Sequence, residues 1–358
     1  MLPSVHRTLT AMALARLTTA HPERARLVAA LAPSADPRVL QALAGQRASD
    51  EMQRALTLAQ QDHAWVERAA GFVRVLGAAD YPSALTNIPD PPAVIYGLGD
   101  PGAFVGLCVA IVGSRQGTDD GCATATEIAA DLASAGICIV SGLARGIDGA
   151  AHRSALAAGG RTIAVLGAGL DRVYPPEHVG LASAICAAGA VISEFPPGTR
   201  PQPWNFPQRN RVISGLCAGV VLIEAGAKSG SLSTASHALD QGREVMIVPG
   251  AVRTPRNRGG HQMIRQGAAL VENAVDVLEV LGLPLPATLT SASRGKERQP
   301  PDDPLGSAID LALAAGPRTL NELTDEVGRG VAEVAAALVV LEVGGFVRLE
   351  GQRYSRAG

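Results

Sequence analysis

The amino-acid sequence predicts an α/β fold built on a doubly wound, mostly parallel sheet. From residue 107 to about residue 282, short apolar runs rich in β-branched residues alternate with longer amphipathic stretches. Several of the short runs are apolar at every position, which indicates strands that are buried on both faces. The stretches between them have the length that a right-handed crossover helix requires. Aromatic residues make up only 3% of the chain, so Ala, Val, Leu and Gly must fill the core.

The same pattern divides the chain into segments. Six strands are predicted, at residues 107–112, 137–141, 162–166, 191–193, 220–224 and 245–248. They belong to a sheet domain over residues 76–283, which follows a small helical domain over residues 1–75. The polar, Pro-rich segment 284–304 is typical of a linker. Residues 305–358 contain three short helices and a hairpin with a Gly turn, which is the order of a winged helix.

Charge is distributed unevenly along the chain. The net charge is only −2, but between Arg200 and Arg265 there are nine basic residues and three acidic ones. From Asp302 to the end, nine acidic residues outnumber five arginines, and the predicted third helix carries Glu333 and Glu342 without Lys or Arg. A polyanion would therefore meet the middle of the chain. The C-terminal domain is expected to contact protein or only to support the fold.

The cysteines and the apolar runs indicate the setting. The five cysteines are scattered without CxxC spacing, and three lie in or beside apolar runs. Such cysteines are usually small buried hydrophobes, so neither a metal site nor a disulfide is expected. No signal-peptide core is visible, and no apolar run reaches the about 18 residues of a spanning helix. We therefore expect a cytoplasmic protein without a membrane partner.

The turns that follow the strands carry the candidate site, because ligands of open parallel sheets bind where strands end and helices begin. After the first strand, Gly113 permits a sharp turn, Ser114 supplies a hydroxyl and Arg115 a guanidinium suited to phosphate. An ordinary turn with a surface arginine fits these residues equally well. After the fifth strand, the segment from Lys228 to Ser231 opens a helix and forms a candidate anion cradle.

Other turns argue against common cofactors and reactions. Arg145 follows the second strand, and Asp148 and His152 lie one helical turn apart, as an acid–base pair would. A structural hydrogen bond is the more common role of such a pair. After the third strand a GxG motif begins, but Arg172 stands where a dinucleotide site needs a third glycine. A Walker P-loop is not matched either, so neither NAD nor nucleoside triphosphate hydrolysis is predicted.

These turns should meet along one edge of the sheet, together with the segment NFPQRNRVISGL that begins at Asn205. Phe206 would offer a flat ring there, and base–aromatic stacking contributes about 1–3 kcal/mol per base whatever the sequence. Five cationic side chains would line the groove around it: Arg115, Arg145, Arg209, Arg211 and Lys228. Cations that hold phosphates beside a ring that stacks bases are what single-stranded nucleic acid requires.

The chain resembles the DprA/Smf family of bacterial DNA-processing proteins. The matching motifs run in order over residues 105–275 and include IVGSR, SGLARGIDGAAHRSAL, FPQRNRVISGL and IEAGAKSGSLSTASHALDQGREVMIVPG. The resemblance implies an extended Rossmann-like domain that binds single-stranded DNA, forms a homodimer and loads the RecA recombinase during natural transformation, with no catalysis and no cofactor. It also implies DNA-binding positions at Gly113, Ser114, Arg115, Phe206, Arg209, Asn210, Arg211, Lys228, Ser229, Gly230 and Ser231.

The outer segments also resemble parts of that family. The N-terminal helices are similar to its sterile-alpha-motif or helix-hairpin-helix-like domain, and the C-terminal segment is similar to its winged helix. Some members carry a lysine just before the stacking aromatic, where this chain reads Gln202-Pro203-Trp204. Either the affinity per site is lower than in those members, or Arg200 or the loop from Arg253 to Arg258 supplies that charge.

Two other functions stay open on the sequence. Nucleotide-cleaving phosphoribohydrolases have a similar fold, but their PGGxGTxxE motif ends in a glutamate. Here Thr234 is followed by Ala235, Ser236 and His237, with no acid on that turn. A purely structural dimer or adaptor would leave the arginines solvated. The salt dependence of oligonucleotide binding separates a phosphate-binding groove from solvated arginines.

Overall fold

Nine strands form the main sheet of the protein, whose computed structural model describes residues 3–17, 37–286, 303–343 and 346–356. The strands are β1 (Phe72–Val75), β2 (Val94–Gly99), β3 (Cys108–Gly113), β4 (Cys138–Ser141), β5 (Thr162–Leu166), β6 (Ala190–Ser193), β7 (Gly219–Ile223), β8 (Glu244–Ile247) and β9 (Ala269–Leu270). Their order across the sheet is β1-β2-β6-β5-β4-β3-β7-β8-β9. Pairing is parallel except at β1–β2 and β2–β6. This confirms the predicted doubly wound, mostly parallel α/β fold.

The six predicted strands are present within one residue of their expected bounds, and the sheet extends beyond them at both edges. The added strands are β1 and β2 on one side and β9, of two residues, on the other. β2 pairs antiparallel with β6, so that Tyr96 lies opposite Ser193. Because β1 precedes residue 76, the sheet begins before the boundary that the sequence predicted between helical and sheet domains.

Helices cover both faces of the sheet. The α-helices among the described residues before residue 287 are α1 (Pro3–Leu17), α2 (Pro37–Arg68), α3 (Ser83–Thr86), α4 (Asp119–Ser134), α5 (Ile147–Ala157), α6 (Val179–Ala188), α7 (Asn205–Gly215), α8 (Ser231–Asp240), α9 (Arg258–Arg265) and α10 (Ala274–Val280). Val109 and Ile111 of β3 share a core with Ile128 of α4, whereas Ala110 shares the opposite core with Ile213 of α7. Since alternate strand residues point to opposite faces, a strand between two helical layers must be apolar throughout.

The amino-terminal helices share a core with the sheet. Leu9 and Met12 of α1 pack in one cluster with Tyr96 of β2. Arg16 and Asp62 join α1 to α2 through a hydrogen-bonded ion pair of 2.7 Å. Residues 18–36 lie outside the described residues. None of the described helices is long and apolar enough to cross a membrane.

The chain divides into two units, Met1–Thr290 and Ser291–Gly358. The second contains α11 (Pro304–Ala314), α12 (Leu320–Val327), α13 (Val331–Val343) and a hairpin of β10 (Val347–Glu350) and β11 (Arg353–Arg356). Its core includes Ile309, Leu323 and Leu338. Three helices followed by a hairpin is the order that the sequence predicted. Most of the predicted linker 284–304 lies outside the described residues.

Candidate nucleic-acid interface

The loops after β3 and β7 leave a crevice between two neighbouring strands. From β3 the chain continues to β4 on one side, whereas from β7 it continues to β8 on the other, so the loops diverge. Ligands of open α/β sheets bind at such switch points. A cavity of about 810 Å³ opens here. Its lining includes residues 113–116, Ala144, Asp148, Tyr174, Pro201, Pro203, Phe206, Pro207, Arg209, Asn210, residues 229–231 and Thr234.

Two glycines let the loop after β3 approach its neighbours. A Cβ atom on Gly113 would lie 1.9 Å from the carbonyl oxygen of Ile223, so a larger residue does not fit. Gly146 has φ of 68°, and a Cβ atom there would lie 2.4 Å from the carbonyl oxygen of Ser114. These close backbone approaches hold the loop in place, and the exposed side chain of Arg115 therefore starts from a fixed position at the cavity.

Phe206 lines the cavity. Its half-buried ring lies with its centroid 5.1 Å from the Cζ atom of Arg115 and 5.9 Å from that of Arg209. The ring of Tyr174 packs beside it at 5.8 Å and an interplanar angle of 47°. A Cβ atom on Gly167 would lie 2.9 Å from Phe206, so that glycine makes room for the ring. Cation–π contacts and aromatic packing thus fix the ring before any ligand arrives.

Arg209 lies behind Phe206 as a buried structural cation. Its Nη1 donates hydrogen bonds to the carbonyl oxygens of Gly142, at 2.9 Å, and of Val165. Burial lowers the pKa of Arg209 to about 10, although the nearby Asp148 carboxylate acts in the opposite direction. Arg209 is therefore charged at neutral pH. Its charge faces backbone oxygens at the ends of β4 and β5, which differs from the free groove cation expected from the sequence.

Arg211 does not line the cavity. Its guanidinium binds Glu194 through two hydrogen bonds of 2.6 and 2.8 Å, and its Nε donates to Asp90 at 2.7 Å. Burial alone would lower the pKa of Arg211, but the two carboxylates raise it above its ordinary value. The expectation that Arg211 faces a groove is not met, because acids from other loops bury and neutralise it.

Arg145 and Lys228 are exposed and are not among the lining residues. Arg145 donates to Glu177, and this bond and the nearby carboxylate raise the pKa of Arg145. Hydrogen bonding to Tyr174 contributes in the same direction. Both cations therefore lie outside the cavity. A bound DNA strand would have to extend beyond the cavity to reach them.

The side chain of Asn210 holds the loop before α8 through hydrogen bonds. The Nδ2 of Asn210 donates to the carbonyl oxygen of Gly230 at 3.2 Å and to Ser233 Oγ at 2.7 Å, and its Oδ1 accepts from Arg209 Nε at 3.2 Å. The backbone N–H of Ser231 donates to Ser229 Oγ at 3.4 Å, and that of Ser233 to the carbonyl of Gly230 at 3.3 Å. These two amides already have partners, so they add little to the expected anion cradle.

The basic loop after β8 contacts the loop after β3. Arg256 Nη1 donates to the carbonyl oxygen of Gln116, a lining residue, at 2.7 Å. Arg253 and Arg258 are exposed on either side of it. This contact brings the basic segment to the edge of the cavity, although the sequence places it about 140 residues away.

A carboxylate occupies the N-terminus of α4, the position at which Rossmann-type proteins hold a nucleotide phosphate. Glu224 follows β7 with φ of 51°, and its carboxylate accepts from the backbone N–H of Thr118 at 2.9 Å and from the Thr118 hydroxyl. A Cβ atom on Gly121 would lie 2.6 Å from the Glu224 carboxyl carbon, so the carboxylate packs on the first turn. The protein fills this anion site with its own side chain.

Asp148 and His152 are held by separate partners. Asp148 accepts from the backbone N–H groups of Gly142 and Ala144 at 3.1 and 3.3 Å, and burial raises its pKa. His152 Nδ1 lies 2.7 Å from Thr162 Oγ1, and burial lowers the pKa of His152 to about 3. Both side chains support the turn and the core. Within the described residues, no group of three or more His, Cys, Asp or Glu side chains could hold a metal ion.

Sequence reasoning missed two aromatic residues of this region. Tyr174 lines the cavity beside Phe206 and is 38% exposed, and Trp204, directly before α7, is 68% exposed. Both stand in proline-containing loops, VYPPEH and QPWNFP, of a chain with only 3% aromatic residues. The scarcity of aromatic residues in this chain is the sequence signal that could have singled out these two.

The doubly wound sheet, with a ring and arginines at its switch point, places the protein in the Rossmann-like class. The sequence model described as "DNA recombination-mediator protein A" matches residues 72–282, which is more than half of the chain. The chain belongs to this family.

Relatives and solved structures agree with this assignment. Protein Smf of Synechocystis is 38% identical over 312 residues, covering 77% of this chain and 78% of that protein. DNA processing protein DprA of Bacillus subtilis is 42% identical over 207 residues, covering 58% and 70%. The X-ray structure of DprA from Streptococcus pneumoniae superposes with a TM-score of 0.59 at 37% identity, covering 66% and 83%. DprA of Helicobacter pylori, whose structure concerns its single-stranded DNA binding mode, gives 0.54 at 28%, covering 60% and 97%.

Proposed function

We propose that this protein binds single-stranded DNA at the switch-point cavity, with a base stacked on Phe206. The observation that carries the proposal is the fixed ring of Phe206, 5.1 Å from Arg115 and open to a cavity of about 810 Å³. A ring that is already fixed loses little side-chain freedom on binding. A base stacked on it gains about 1–3 kcal/mol, and the neighbouring guanidinium is suited to its phosphate.

The position of the ring favours unpaired strands. Because Phe206 is half-buried, a base must enter the cavity to reach it. A base of duplex DNA would first have to leave its stack, which costs a few kcal/mol. An unpaired base is free of that cost. The structure of Helicobacter pylori DprA concerns its single-stranded DNA binding mode, which agrees with an unpaired strand as the ligand.

We assign two kinds of role to the predicted DNA-binding residues. Proposed contacts to the strand come from exposed or cavity-lining groups: Gly113, Ser114, Arg115, Phe206, Ser229, Gly230 and Ser231, with Arg145 and Lys228 at the edge. Arg209, Asn210 and Arg211 instead hold the surrounding loops, because their polar groups already bind protein atoms. Additional phosphate contacts are proposed for Arg253, Arg256 and Arg258, since that loop touches Gln116 of the lining.

Competition between oligonucleotides of one length tests the proposal. A labelled oligo(dT) bound to the full-length protein should be displaced by unlabelled single strands at far lower concentration than by the matching duplex. The two competitors must be compared at one salt concentration, because phosphate contacts make every affinity salt-dependent. Equal displacement by the duplex would contradict a site that needs an unpaired base.

We further propose that the protein acts as a homodimer in the cytoplasm and delivers the bound strand to RecA, without catalysis or cofactor. The description of its family as recombination mediators supports this proposal. RecA-dependent ATP hydrolysis on single strands coated by a competing single-strand-binding protein should rise when this protein is added. The variant Arg115→Ala, which is expected to bind the strand more weakly, should stimulate less. Sedimentation of the free protein measures whether it is a dimer.

A nucleotide-cleaving enzyme of similar fold is the second candidate. Its fold is present, but Glu224 occupies the N-terminus of α4 where a nucleotide phosphate would bind. Asp240, the first acid after the loop before α8, lies at the far end of that ten-residue helix. Incubation with nucleoside monophosphates should therefore release no free base, as measured by chromatography. Release of base at an enzymatic rate would favour this candidate over the binding protein.

A further inference from the structure

The lining of the switch-point cavity includes two buried polar side chains that the contacts proposed above do not use. Thr234, near the start of α8, is 1% exposed, and Asp148 is 6% exposed. Within the residues that the structure describes, no group donates to or accepts from the Thr234 hydroxyl. Buried hydroxyls normally have a hydrogen-bond partner. This hydroxyl is therefore placed for a partner that enters the cavity.

The carboxylate of Asp148 has room for a further donor. Its Oδ2 accepts from the backbone N–H groups of both Gly142 and Ala144. An ionised carboxylate has about four lone-pair positions, so these two bonds leave it able to accept from a ligand. Burial raises the pKa of Asp148, and the nearby Arg209 guanidinium acts against that rise. The same positive charge offsets the repulsion between this carboxylate and a DNA strand.

Buried apolar side chains belong to the same part of the lining. Val112, at the end of β3, and Ile213 of α7 are both buried and both line the cavity. Pockets for small organic groups combine apolar walls with a few polar groups that fix orientation. A nucleobase is built in the matching way, with apolar flat faces and hydrogen-bonding groups only on its edges. The buried part of the cavity therefore suits a base, whereas the Asp148 carboxylate would repel a phosphate.

The more exposed part of the lining decides which edge of the base enters first. Arg115 and Gly230, in the two segments assigned above to the strand, are exposed, so the sugar and phosphate stay at the mouth. The Watson–Crick edge lies opposite the bond between base and sugar, and it therefore enters deepest. We propose that Thr234 and Asp148 read this edge by hydrogen bonds, as enzymes do when they read a base taken out of its stack. This inference rests on the proposed function.

Reading this edge selects the unpaired state without selecting a sequence. Each of the four bases has an N–H donor on its Watson–Crick edge: the ring N–H of thymine and guanine, and the amino group of adenine and cytosine. A carboxylate accepts from any of them, and a hydroxyl rotates to donate or to accept. In a duplex the same donors are bound to the opposite strand. Asp148 and Thr234 are therefore specificity-determining residues for single strands, in addition to the ring of Phe206.

A short strand in which difluorotoluene replaces every thymine tests whether the edge is read. Difluorotoluene keeps the shape and flat face of thymine but has no N–H donor. In competition with labelled oligo(dT), this strand should bind the full-length protein roughly tenfold or more weakly than oligo(dT) of the same length, because buried polar groups would be left unpaired. Equal affinities would overturn this inference and leave single-strand binding intact. Binding of neither strand would overturn the proposed function as well.

Two shape-conserving variants test which side chains read the edge. Thr234→Val removes the hydroxyl, and Asp148→Asn removes the charge while its amide oxygen can still accept from the backbone of the turn. Each should weaken oligo(dT) binding several-fold and leave binding of the difluorotoluene strand unchanged, so that the preference shrinks. Thr57→Val, at an exposed position of α2, is the matched control and should keep the native preference. A preference as large in both variants as in the native protein would overturn the assignment to Thr234 and Asp148.

Discussion

Replacing Phe206 by alanine removes the ring while leaving every charge of the cavity in place. Loss of one stacked base should cost about 1–3 kcal/mol, which corresponds to roughly 5- to 150-fold weaker binding. Fluorescence polarisation of a labelled oligo(dT) at a series of salt concentrations measures both the affinity and its salt slope. Because Phe206 carries no charge, the slope should be unchanged. Phe206→Trp, which keeps an aromatic face, is the matched control and should retain most of the affinity.

Arg115→Ala is the complementary variant. It should weaken binding and flatten the log–log salt slope by about 0.7, the share of one phosphate on a single strand. The Cζ atom of Arg115 also lies 5.1 Å from the centroid of the Phe206 ring. A cation–π contact of this kind contributes about 0.5–1 kcal/mol at an exposed site. The double variant should therefore lose less affinity than the two single losses combined. Affinities within twofold of the native protein for both single variants would refute the assignment of the cavity to DNA.

Other side chains of the same region give distinct expectations. Arg211→Ala should lower the free energy of unfolding, measured by urea denaturation, by about 3–5 kcal/mol, because it leaves Glu194 buried without its partner. Arg145→Ala, whose ion pair is exposed, is the control and should unfold much like the native protein. Tyr174→Ala should weaken oligo(dT) binding roughly 2- to 12-fold, as expected for loss of an aromatic contact of about 0.5–1.5 kcal/mol. Tyr174→Phe, which keeps the ring, should bind like the native protein. Equal weakening by both variants would assign the effect to the hydroxyl. The pKa of His152 is about 3 in the folded protein and near 6.5 when unfolded, so its neutral form contributes stability above pH 6.5 that is lost as the pH falls towards 3. Thermal melting from pH 7 to pH 4 should show a steeper loss for the native protein than for His152→Asn.

The sequence predicted the central strands well because their pattern is a direct consequence of the fold. A strand such as β3, with helices on both sides, must be apolar at every position, and its turn must contain residues that tolerate tight backbone. The edge strands β1 and β9 were missed because they are short and lack that pattern. The same logic located Arg115 and Phe206, which lie next to the strand ends or within a helix that begins there.

The roles of the arginines depended on contacts that no local pattern encodes. Arg209 and Arg211 stand two positions apart in the same helix, yet one supports the ring and the other is buried against acids. Asp90, one of those acids, stands 121 residues earlier in the chain. Tyr174 reaches the cavity in a similar way, from a loop about 30 residues before Phe206.

By itself, the sequence determined the layered sheet, the edge at which its loops meet, and the presence there of an aromatic ring among cations. Only the tertiary structure decided which guanidinium groups remain available to a ligand, since that depends on the carboxylates that distant loops bring to them. It also decided that Glu224 fills the phosphate position of the fold. The pattern of burial can be predicted from neighbouring residues, because it repeats along each strand and helix. The pairing of charges depends instead on where the folded chain places residues that are far apart in sequence.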